Sequence, residues 1–137
     1  MSDFPEFDVF QDYKGKKVRF IYNLFDAGHL FSLRAREDTK TDYAREFTAY
    51  DEKSPVNALI KLRNKIREEL NKRYFTEERG EPFKEMNFDY FRGNITYDSQ
   101  NSEACLVIDG KKMSMCDLER IIATHEGFQI EIKITEE

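Results

Sequence analysis

The chain has 137 residues, with 22 Lys and Arg against 27 Asp and Glu, 39% hydrophobic and 36% charged residues, and only two Cys. That length and apolar content predict one domain over residues 1–137 with a core that needs neither metal nor disulfide. A net charge of -5 disfavours non-specific binding to nucleic acid or anionic lipid, and 14% aromatic residues exclude disorder.

No apolar run approaches the ~20 residues of a membrane helix. The start, Met1-Ser2-Asp3-Phe4-Pro5-Glu6, is acidic where a signal or transit peptide is basic, so the expected location is the cytosol.

From Lys16 to Glu52 the period is two, which reads as strand. Val18, Phe20, Tyr22 and Leu24 alternate with polar positions and Ile21, Asp26-Ala27-Gly28 supplies a turn, and Phe31, Leu33 and Ala35 form a second run. The polar stretch Glu37 to Asp42 connects to a third run around Phe47 and Ala49. These segments predict an antiparallel three-stranded meander.

Ser54-Pro55 then signals a helix, because the Ser hydroxyl can accept an orphan N–H and Pro at the first position gives up a donor that has no partner. The helix is expected to reach about Tyr74, with Ala58, Leu59, Leu62, Ile66 and Leu70 on one stripe. Lys61, Lys65, Glu68 and Lys72 fall on the solvated side. Ser54 to Phe75 carries six cations and two anions, the one basic stretch in an acidic chain.

Thr76 to Arg92 has no clean period and reads as a long connection holding Phe83, Met86, Phe88, Tyr90 and Phe91. Two further strands follow at Gly93–Asp98 and Ala104–Ile108, and Asp109-Gly110 marks a tight turn. Ser114 with Asp117 makes a capping box that opens a short second helix, whose inward stripe is Leu118, Ile121, Ile122 and His125. Gly127 suits its C-terminal cap. Phe128, Ile130, Ile132 and Ile134 alternate with polar residues in a half-buried C-terminal strand. The fold class is α+β.

Ser54-Pro55, Ala58-Leu59, Leu62, Ile66-Arg67, Leu70, Arg73-Tyr74, Gly93-Asn94-Ile95, Leu106 to Lys111, Ser114 and Glu126-Gly127-Phe128-Gln129 together resemble an uncharacterised bacterial domain family of no assigned function, over about Ser54 to Ile134. The resemblance implies a fold and a bacterial cytosolic setting without an activity. Met115 stands where relatives place a Trp.

No constellation for chemistry emerges from the spacing. His29, His125, Cys105 and Cys116 lie too far apart in sequence for a zinc motif, and six scattered glycines make no phosphate loop; no metal or cofactor is expected. Cys116 sits in the first turn of the second helix, where a helix dipole favours thiolate, but Asp117 beside it opposes that. His125 on an apolar stripe reads as a packed histidine bonded to a backbone carbonyl, and no catalytic residue is assigned.

The expectation is a non-catalytic binding or regulatory module that recognises a protein partner or a second copy of itself. The speculative contact residues are Phe83, Phe88, Tyr90 and Phe91, since aromatics carry interface energy. Two alternatives are a small carboxylate- and His-dependent hydrolase or transferase, and a nucleic-acid binder working through Lys61, Lys65 and Lys72.

Overall fold

The computed structural model describes residues 4–41 and 43–136. The acidic start at Met1–Asp3 and the Asp42 end of the polar connection lie outside the described residues. The described backbone falls into two compact units, residues 4–40 with 44–73, and residues 74–136 with 41 and 43.

In the first unit, strands β1 (Phe7–Gln11), β2 (Lys17–Asp26), β3 (Phe31–Glu37) and β4 (Glu46–Asp51) form one antiparallel sheet in that order, followed by helix α1 (Pro55–Asn71). The expected three-stranded meander therefore has a fourth strand. Its sequence, Phe-Asp-Val-Phe-Gln, puts apolar side chains on both faces, Phe10 buried and Phe7 and Val9 exposed, so period two does not show.

One face of the sheet carries Val18, Phe20, Tyr22, Leu33, Ala35 and Ala49 against Ala58, Leu59, Leu62, Ile66 and Leu70 of α1, all buried in one core. That stripe is the one predicted. The Ser54 hydroxyl accepts the Asn57 N–H at 3.0 Å and Pro55 occupies the first turn. The helix ends at Asn71, short of the expected Tyr74, because Lys72 turns extended and the next residues are committed elsewhere.

The second unit contains the hairpin β5 (Phe75–Glu78) and β6 (Glu81–Met86), the antiparallel sheet β7 (Asn94–Asp98), β8 (Glu103–Ile108) and β9 (Lys111–Met113), and helix α2 (Met115–Ala123). The stretch expected as a connection is thus largely a hairpin, turned at Arg79 and Gly80, both with positive φ. Five strands stand between the two helices, where two were expected.

The Asp109 carboxylate accepts the N–H groups of Tyr74 and Phe75 at 3.0 and 2.9 Å. This fastens the start of β5 to the β8–β9 turn, where Asp109 and Gly110 have φ of 55° and 76°. Tyr74, Phe75, Ile108 and Met113 form the core of this unit, with Phe83, Met86, Phe91, Leu106, Leu118 and Ile121 packed against it. Gly93 is fixed by a close approach, since a Cβ there would fall on the Val107 carbonyl oxygen and Ile108 Cδ1.

Ser114 and Asp117 make the expected capping box, at 3.1 and 3.0 Å. The expected half-buried C-terminal strand is a correction. Residues 128–134 form no strand and Phe128, Ile130, Ile132 and Ile134 are 66–76% exposed. Alternation gives a segment the capacity to be a strand, but a strand forms only against a partner edge.

Candidate interaction surfaces

In the first unit the sheet face turned away from α1 is open. Phe7 lies opposite Ile21 and Val9 opposite Arg19, while Phe25 lies further along β2. These four apolar side chains are 47–65% exposed. Arg19 stacks over the Phe7 ring, its centre 5.2 Å from the ring centroid, and is ion-paired with Asp38. Arg34 and Arg36 continue the row on β3, both exposed, and Arg36 reaches Glu46 only at 3.9 Å. An apolar patch edged by guanidinium groups has the composition of an interface centre.

The helix side of the same sheet carries a polar triad. Asp8 accepts from the Tyr22 hydroxyl and from Arg63 Nε, both at 2.7 Å. Burial alone would raise the Asp8 carboxyl, but the bonds from Arg63 and Tyr22 and the charges of Arg63 and Arg67 carry it below its ordinary value. Burial, then the hydrogen bond to Asp8, pushes the Tyr22 hydroxyl well above its usual range. Both effects stabilise the bonded pair as found, an acceptor carboxylate and a donor phenol, so the triad holds β1 and β2 against α1.

The lysines of α1 are used by the fold. Lys61 Nζ donates to the Tyr50 carbonyl and to Asp51, each at 3.0 Å, and Lys65 Nζ donates to the Thr48 carbonyl at 3.1 Å. Lys72 pairs with Glu69 at 3.7 Å. Asp51 also accepts the Lys53 and Ser54 N–H groups. The Ser54 N–H first, then Lys61 and the Lys53 N–H, hold its carboxyl far below the ordinary value. A shallow concavity of about 450 Å³ beside this corner is lined by Leu30, Tyr50, Asp51, Asn57 and Lys61.

In the second unit the four aromatic residues singled out from sequence separate into two pairs. Phe83 and Phe91 pack on Phe75, with ring centroids 5.2 and 5.0 Å away, and serve the core. Phe88 and Tyr90 are exposed, 5.6 Å from each other and about equally far from the buried Tyr74 ring, at 6.0 and 5.8 Å. Sequence alone does not single out the sheet face of Phe7, Val9, Ile21 and Phe25, because Ile21 falls at one of the outward positions of an alternating run. The signal was present in β1, where Phe7 and Val9 share a face that already carries Ile21.

A larger concavity, about 820 Å³, lies between β6 and α2. Phe75, Phe83, Met86 and Ile121 supply its apolar lining, and Asp117, Arg120 and His125 line it from the helix side. His125 follows the end of α2. Its Nδ1 lies 2.7 Å from the Ile121 carbonyl oxygen and 3.1 Å from Thr124 Oγ1, and its ring meets Phe128 edge to face. Asp117, the helix carboxylate that lines the same concavity, is engaged by the Ser114 N–H and Arg120.

Cys105 is buried and Cys116 exposed, both as free thiols. Burial, then the charge of Asp98, pushes the Cys105 thiol up. Asp98, 2% exposed, accepts from Lys112 Nζ at 2.7 Å, Asn101 Nδ2 at 2.8 Å and the Gln100 N–H at 3.0 Å. Among the described residues no three His, Cys, Asp or Glu side chains come together as a metal cluster. No helix there is long and apolar enough to cross a membrane.

The architecture is thus α+β in each unit, a helix on an open-faced four-stranded sheet in the first, and a hairpin, three-stranded sheet and helix in the second. The chain belongs to the family described as Domain of unknown function (DUF7686), whose model matches residues 2–71. Residues 74–137 match the model described as Domain of unknown function (DUF7713). No curated protein and no solved structure matches the chain. The resemblance read from Ser54 to Ile134 is divided by these matches: Ser54 to Leu70 falls in the first, and Gly93 to Gln129 in the second.

Proposed function

We propose that the chain is a binding module that recognises a protein partner, in a non-catalytic, regulatory role. The observation that carries this reading is the open sheet face of the first unit, where Phe7, Val9, Ile21 and Phe25 are exposed beside Arg19, Arg34 and Arg36. Water-exposed apolar side chains on one face favour a partner that removes them from water, at about 25 cal/mol per Å². The arginines suit carboxylates on the partner's rim. Phe88 and Tyr90 offer a second, smaller aromatic contact.

The test places a photoreactive phenylalanine analogue at position 25 and irradiates the chain in extract of its native cells. A dominant protein adduct is expected, and it should disappear when Ile21→Glu is added. The same analogue at Asn64, exposed on α1, should give no such adduct. An adduct indifferent to Ile21→Glu, or none from a folded chain, rejects the sheet face as the recognition surface.

A further inference from the structure

Residues 128–134 combine two properties that conflict in an isolated chain. Phe128, Ile130, Ile132 and Ile134 alternate with Gln129, Glu131 and Lys133, the pattern of a strand with one face buried. Yet every residue of the segment is exposed, and among the described residues its one backbone hydrogen bond is from the Phe128 N–H to the His125 carbonyl at 2.9 Å. That bond closes the turn by which the segment leaves α2. Four apolar side chains at 66–76% exposure leave roughly 500 Å² of apolar surface in water.

The concavity between β6 and α2 is the complementary feature. β6 is an edge strand of a two-stranded sheet, so an extended segment can be added along it, and within a lining that also holds Glu81, Lys84, Glu85, Asp117 and Arg120 the side chains Phe75, Phe83, Met86 and Ile121 offer an apolar seat. Isoleucines pointing inward would meet that seat, while Glu131 and Lys133 would face water. The helix wall of the same concavity ends at His125, two residues before Gly127. Gly127, with φ of 90°, supplies the left-handed residue of the turn that His125 and Phe128 close.

We propose that segment 128–134 of one copy fills the concavity between β6 and α2 of a second copy, in reciprocal exchange. Donor strand and acceptor groove belong to the same sequence, so a second copy is the occupant that carries both, and a two-fold arrangement satisfies both at once. The His125–Phe128 turn is kept, since the segment continues outward instead of reversing onto its own groove. Two exchanged segments with the walls they cover bury on the order of 1,500 Å², the size of a stable specific interface.

Sedimentation velocity of the full chain should show a dimer. The double variant Ile130→Glu/Ile132→Glu should lose it and keep its circular dichroism spectrum, because both positions are exposed in the single chain. To locate the contact, a photoreactive analogue at position 130 is irradiated in a mixture of ¹⁴N- and ¹⁵N-labelled chains. Adducts joining the segment to peptides of 81–86 or 117–125 should carry mixed isotopes. A monomer at every concentration, a dimer that survives the double variant, adducts that never mix isotopes, or adducts elsewhere would each overturn the exchange. Ile21→Glu should leave the dimer intact, which separates this association from partner recognition by the sheet face.

Discussion

Asp109 offers the sharpest test of how the second unit is built. Its carboxylate accepts two backbone N–H groups, those of Tyr74 and Phe75, from residues that are themselves buried. Hydrogen bonds to a charged acceptor contribute about 1.5–3 kcal/mol each, and an orphaned buried N–H costs about 1–3 kcal/mol. Asp109→Asn keeps the left-handed backbone that Asn tolerates and one carbonyl oxygen, so it should lose about 1–3 kcal/mol. Asp109→Ala loses both acceptors and adds about 1 kcal/mol of left-handed strain at φ 55°, for a total of about 3–5 kcal/mol. Asp109→Gly separates the terms, because it relieves the strain but not the lost bonds. Urea midpoints give the ranking, and hydrogen exchange at the Tyr74 and Phe75 amides gives the site, which matters because a chain of two units need not unfold in one step. Wild-type stability in the Gly variant, or an Asn variant as unstable as Ala, would refute the anchor.

Ser54→Ala should cost about 0.5–2 kcal/mol through the lost cap of α1, read as a lower urea midpoint with an unchanged spectrum. Thiol reagents should label Cys116 rapidly and Cys105 only as fast as the second unit opens; equal slow rates would contradict the exposed position of Cys116. The Lys112 ammonium first, and then the Asn101 side chain, hold the Asp98 carboxyl at about 2, below its ordinary 3.8. A depressed carboxyl stabilises the fold fully above its unfolded pKa, and that contribution is lost as pH falls through the folded value. Stability should therefore decline from about pH 4 towards pH 2 in the wild type, and this part of the decline should be absent in Asp98→Asn.

What the sequence made legible was local. The Ser54-Pro55 start, the buried stripe Ala58 to Leu70 and the Ser114–Asp117 box depend on residues three or four apart, and all were readable. The β5–β6 hairpin was not, because Glu77, Glu78, Glu81 and Glu85 with Pro82 hide its alternation, and Phe75 and Phe83 meet only across the turn. Asp109 was readable as a turn residue but not as an anchor, since its partners lie 34 and 35 positions away. The contact residues divided for the same reason: Phe83 and Phe91 find Phe75 in space, and nothing in their own neighbourhood distinguishes them from Phe88 and Tyr90. The segment after Gly127 shows the converse, an unambiguous strand pattern whose partner is not supplied by the fold around it.

The basic stretch of α1 shows how structure reassigns a sequence signal. Six cations between Ser54 and Phe75 suggested a face for phosphates, but β4 closes one side of its sheet, and a bare strand edge invites pairing with another chain. Lys61 and Lys65 lie along that edge and donate to the carbonyls of Tyr50 and Thr48, two residues apart and so on the same side of the strand. Their ammonium groups occupy the acceptors an incoming strand would need. Arg63 is spent on Asp8 and Lys72 meets Glu69, so the cations with the most favourable spacing for phosphate contacts are engaged within the unit. The charge of this helix is therefore accounted for by protection of β4 and attachment of β1, while the lysine of β6 in the second unit, Lys84, is paired with Glu81 of its own strand at 3.5 Å, and that strand is the edge at which the exchanged segment is placed.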